Sequence, residues 1–167
     1  MKALFIILCV ICIIIPIVVY TCGTINAIQM DVSCIAYLNL AADANSVDLA
    51  HKHLTTAINY LEANNLTSGN TSFIIVSPSN DIGFWYDNLK SAQTQLEYLS
   101  SKEDLTELEE SNALMKLRET LLDEGSVTHP FMISFYPNHV VWLITLFTIW
   151  LLWALAAVFG FCAAEAY

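Results

Sequence analysis

Near one end of this chain, Val140 to Cys162 reads VVWLITLFTIWLLWALAAVFGFC, 23 residues without a charge. A hydrocarbon core about 30 Å thick calls for roughly 20 apolar residues at about 1.5 Å rise each, so a run of this length is expected to cross a bilayer as a helix. At the other end Lys2 precedes ALFIILCVICIIIPIVVY, Ala3 to Tyr20, an uncharged run of 18 residues. A cleaved signal peptide would have an apolar region of roughly 7 to 15 residues and a small-x-small cleavage site. Here Ile25 stands where the small residue before Ala27 is wanted, and Tyr20 and Thr21 are bulky for lipid attachment at Cys22. The first run therefore reads as a retained signal anchor, with Pro16 tolerated as membrane helices tolerate it.

The expected organisation is an all-α membrane protein: transmembrane helix 1 over residues 1–22, an acidic extracytoplasmic domain over 23–139, transmembrane helix 2 over 140–162 and a tail over 163–167. Lys2 is the one basic residue beside the outer end of either apolar run, and positive charge favours the cytoplasmic side. Both termini are then expected in the cytoplasm and the central domain outside, periplasmic or extracellular.

Charge bounds the partners. Between Asp31 and Glu124 there are 15 acidic residues against Lys52, Lys90, Lys102, Lys116 and Arg118, a net charge of minus 10. Nucleic acid is excluded as a partner on electrostatic grounds, and no basic cluster is present to hold anionic lipid headgroups. The expected partners are the lipid bilayer itself and other membrane protein subunits or further copies of this chain.

Helical periodicity organises the central region. Ile25 to Asn64 places Ile28, Val32, Ile35, Ala42, Leu49, Leu54, Ala57, Ile58 and Leu61 at spacings of mostly three, four and seven, which predicts one amphipathic helix. Asn64, Asn65 and Gly69 end it. A return limb begins near Gly83 and runs through Trp85, Leu89, Ala92, Leu96, Leu99, Leu105, Leu108, Met115, Leu117 and Leu122 to Gly125. Glu103 and Thr106 occupy positions where the stripe would continue, so a kink or break is expected near SSKEDL, with Ser101 as the cap of a new helix. The central domain is thus expected to be a helical hairpin or a three-helix bundle.

The tip between the limbs, residues 65–85, carries the least ordinary chemistry. Phe73 to Val76 reads as a short extended piece, Ser77 before Pro78 is biased away from helix, and Ser79 or Asn80 is placed to cap the turn into the return helix. Phe84, Trp85 and Tyr86 form an aromatic patch, either a plug closing the end of a thin bundle or a set of anchors for a partner. In the second apolar run Ala156, Gly160 and Ala164 recur every four residues, a small-residue stripe that lets another helix approach closely.

Catalytic signatures are missing from the sequence. Asp48 and His51 share a helix face, but a di-metal bundle site needs about four carboxylates and a repeated Glu-x-x-His. There is no GxSxG, no HExxH and no phosphate-binding glycine loop. Cys9, Cys12 and Cys162 lie in the apolar runs, while Cys22 and Cys34, if on one helix, stand roughly 18 Å apart, beyond disulfide reach. Asn65-Leu-Thr and Asn70-Thr-Ser are glycosylation acceptors if the chain takes a eukaryotic secretory route, and Tyr136 and Trp142 read as an interfacial belt. No catalytic residue, cofactor or metal is expected. The function expected is that of a non-enzymatic, membrane-anchored structural or accessory subunit; the alternative is an extracytoplasmic sensor signalling through a partner.

Overall fold

The structure, a computed structural model, describes the backbone of residues 2–165 and the side chains of residue 14 and of 17–154. It is mostly helical. The chain forms α1 (Lys2–Met30), a π-helical turn (Asp31–Ile35), α2 (Ala36–Ala42), α3 (Val47–Ala63), α4 (Ile82–Ser100), α5 (Glu107–Leu121), a minimal hairpin of β1 (Leu122–Asp123) and β2 (Ser126–Val127), and α6 (His139–Glu165). Two compact units result, one of Met1–Asn26 with Pro137–Tyr167, the other of Ala27–Tyr136.

Among the described residues no helix is long and apolar enough to cross a membrane. The expectation of two transmembrane helices, and with it the two-pass localisation, is corrected accordingly. The side chains of α6 are described over 139–154. Those of α1 from residue 17 onward include Thr21, Thr24, Asn26 and Gln29. The rest of both apolar runs, including the stripe of Ala156, Gly160 and Ala164, lies outside the described side chains.

In the Ala27–Tyr136 unit the expected hairpin or three-helix bundle is replaced by a bundle of four helices, α2 to α5. α3 is central and touches α2, α4 and α5. Its buried residues, Val47, Ala50, Leu54, Ala57, Ile58 and Leu61, recur at three and four, and they meet Leu38 and Ala41 of α2, Leu89 and Leu96 of α4, and Leu117 and Leu121 of α5 in one core.

The extra helices come from two breaks. The first limb divides at Asp43 to Ser46, because Ser46 adopts an extended backbone and its hydroxyl accepts the Leu49 N–H at 3.4 Å, starting α3 afresh. Glu110 of α5 supplies a second cap across the bundle, its carboxylate accepting the Val47 N–H at 3.1 Å. The break expected near SSKEDL is present, but Ser101 caps the end of α4 and not the start of α5. Thr106 starts α5: its hydroxyl accepts the Glu109 N–H and the Glu109 carboxylate accepts the Thr106 N–H, a reciprocal capping box.

Some residues of the expected stripes face outward. Ile28 and Val32 are about three-fifths exposed, because the π-helical turn buries the neighbouring line of Met30, Cys34 and Leu38 instead. Leu108 and Met115 are exposed on α5, where Ala113, Leu117 and Leu121 form the buried line.

Candidate functional site

The tip is built on the end of α3. Asn65 takes a left-handed conformation at φ 56°, and the Leu66 N–H donates back to the Leu61 carbonyl at 2.8 Å while the Leu66 side chain is buried. This is a Schellman-type stop with its hydrophobic contact. Gly69, at φ 110°, then passes close to the Tyr136 ring, which stands where a Cβ would be. The Ile82 N–H donates to the Gly69 carbonyl and the Thr71 N–H to the Asn80 carbonyl, both at 2.9 Å, so the two sides of the tip are clamped at its base.

Above the clamp, short polar side chains close a ring. Asn70 Nδ2 donates to the Ser77 carbonyl at 3.1 Å, the Ser72 N–H donates to Asn70 Oδ1 at 2.8 Å, and the Ser77 N–H donates to Ser72 Oγ at 3.0 Å. These bonds satisfy the loop's neck from within. The expected extended piece is absent: Phe73 to Ile75 form bends and Val76 is irregular, since no neighbouring strand is there to pair with them. Their side chains project outward: Ile74 is 84% exposed, Ile75 81% and Val76 77%.

Three consecutive residues of a helix point about 100° apart, and the aromatic patch divides accordingly. Phe84 faces out, 65% exposed. Trp85 is half-buried against the core and its indole N–H donates to the Thr128 carbonyl at 2.8 Å. Tyr86 turns to α3, its hydroxyl donating to Glu62 Oε1 at 2.7 Å, where Lys90 Nζ also reaches at 3.3 Å. The hydrogen bond to Glu62 pushes the Tyr86 phenol up to about 12, and the same bond, then that from Lys90, holds the Glu62 carboxyl below its ordinary range. Asp81, and neither Ser79 nor Asn80, caps α4 by accepting the Phe84 N–H at 3.0 Å. Asn80 serves elsewhere: its Oδ1 accepts the Phe131 N–H at 3.3 Å, which brings an exposed phenylalanine, 68% accessible, to the same end of the unit.

Sequence reasoning missed the outward face of Phe73 to Val76 and the contribution of Phe131. Four apolar residues without alternation, bounded by Ser72 and Ser77, were the available signal, because a half-buried strand would alternate. Elsewhere, a shallow cleft of about 210 Å³ lies between α4 and α5, lined by Ala92, Leu96, Ala113, Leu117 and polar neighbours; ligand pockets are usually above about 300 Å³. Asp48 accepts a hydrogen bond from Ser100 Oγ at 2.7 Å, and among the described residues no three His, Cys, Asp or Glu are grouped to hold a metal. No family model, curated protein or solved structure matches this chain.

Proposed function

We propose that the chain is a non-enzymatic structural or accessory subunit that docks on other protein chains, or on a second copy, through an apolar helix. The observation carrying this reading is the described surface of α6. Phe147, Trp150 and Trp153 follow at three-residue spacing within about 120° of the helix surface and are 71%, 76% and 55% exposed, with Ile144 and Val141 one and two turns earlier and further round it. Thr145 and Thr148 return their hydroxyls to the helix's own carbonyls at 2.8 Å each, so they offer no polar surface. An apolar face of this kind is left uncovered in few proteins, and tryptophan and phenylalanine are the side chains that interfaces favour as anchors.

The test is native mass spectrometry of the full chain released from mild detergent. A complex of defined stoichiometry is expected, and Trp150→Arg should dissociate it while far-ultraviolet circular dichroism keeps its helical signal. A monomer under all conditions, or a complex indifferent to Trp150→Arg, would overturn the reading.

A further inference from the structure

Leu66 to Asn80 contains no Asp, Glu, Lys or Arg, and neither does Gly125 to Asn138, in a chain of net charge minus 10. The fold brings these two uncharged segments together through Asn80 with Phe131 and Gly69 with Tyr136. The tip of the Ala27–Tyr136 unit is therefore built of uncharged segments, with Asp81 at its base as the cap of α4, and from it project Phe73, Ile74, Ile75, Val76 and Phe131.

We propose that this end is a lipid-contacting surface, at which the Phe73–Val76 loop, with Phe131 beside it, inserts into the boundary between headgroups and acyl chains of a neutral, zwitterionic lipid layer. The contact is independent of the protein docking on α6.

Three features choose lipid over a protein partner. The first is composition: phenylalanine, isoleucine and valine partition favourably into hydrocarbon, whereas protein hot spots are rich in Trp, Tyr and Arg, none of which lies between Phe73 and Val76. The second is the backbone. Apolar insertion is costly where N–H and C=O groups lose water without a partner; the ring of bonds among Asn70, Ser72 and Ser77 satisfies the neck internally, and the backbone of Phe73 to Val76 keeps its water at the depth of the headgroup boundary. The hydroxyls of Ser77 and Ser79, 2.7 Å apart, lie beside the apolar residues in sequence, as a polar rim at headgroup level requires. The third is charge. With no Lys or Arg in either segment an anionic surface has nothing to attract, and with no Asp or Glu there a zwitterionic surface has nothing to repel. The high exposure of Ile74 and Ile75 also makes the loop a convex projection, which a fluid layer accepts without a matching cavity.

The experiment places a diazirine-bearing amino acid at Ile75 of the full chain, with a second preparation carrying it at Glu103 in the α4–α5 connection, and illuminates each with phosphatidylcholine vesicles. Mass spectrometry of the labelled peptide reads the adduct. A phosphatidylcholine adduct at position 75 several-fold above that at position 103 is expected. Placing the same reagent at Phe131 should also yield the lipid adduct, and Ile74→Ser with Ile75→Ser should reduce it several-fold. Water-quenched product alone at position 75, or a crosslink from it to a second copy or another protein, would overturn the proposal.

Discussion

Trp85 Nε1 donates to the Thr128 carbonyl at 2.8 Å, joining the first turn of α4 to the segment just after the β1–β2 hairpin, 43 residues away. The bond orients the indole so that its ring packs on the core while Phe84 and Tyr86 turn elsewhere. It also holds the uncharged segment after β2 against the tip.

Removing only the donor tests that tie. Trp85→Phe should lower stability by about 1 kcal/mol, the usual net value of one such hydrogen bond. Trp85→Ala, which also gives up a half-buried ring, should cost about 2 to 3 kcal/mol, below the range for a fully buried aromatic. Urea unfolding followed by circular dichroism measures both, and no loss in Trp85→Phe would show that the bond contributes nothing.

Gly69 should resist substitution for two separable reasons. At φ 110° an alanine is strained, and its Cβ would overlap the Tyr136 ring. Gly69→Ala is expected to cost about 2 kcal/mol or more. Pairing it with Tyr136→Ala should recover part of that cost and leave the backbone strain, so a double-mutant cycle should be non-additive.

The α5 capping box predicts a pH dependence. Hydrogen bonds from Lys102 at 2.6 Å, and then from the Thr106 backbone and hydroxyl, hold the Glu109 carboxyl at about 2, below its ordinary 4.5. A carboxyl depressed by folding stabilises above its ordinary value, and that contribution is lost as pH falls from 4.5 toward about 2. Glu109→Gln should therefore unfold with a shallower pH slope across that window. Thr106→Ala, tested at neutral pH, should cost about 1 kcal/mol as a lost N-cap.

Thiol reactivity should separate the two described cysteines. Cys34 is fully buried, and desolvation pushes its thiol up to about 12, so little thiolate forms and the reagent has no access. Cys22 is exposed. Iodoacetamide should modify Cys22 in the folded protein and Cys34 only in urea, as peptide mass mapping would read.

Helix content was legible in the sequence because α3 and α4 repeat apolar residues at helical spacing, a signal that needs no knowledge of neighbours. The stop after α3 was legible for a similar reason: Asn65 and Gly69 tolerate backbone conformations that other residues avoid. The turn Asp43 to Ser46 and the box Thr106 to Glu109 were written in local residue types, yet the apolar stripe outweighed the first and Ser101 drew attention from the second. What tertiary structure decided was which apolar residues are buried. Met30 and Cys34 displaced Ile28 and Val32 because α3 lies on their side of a widened helical turn. Likewise Phe84, Trp85 and Tyr86 are neighbours in sequence but part company on the helix, and Phe131 is tied to the tip by the side chain of Asn80. Periodicity reports that a residue has an apolar face to join; where that face is and what is left outside it depend on contacts between residues dozens of positions apart, and those exist only in the folded chain.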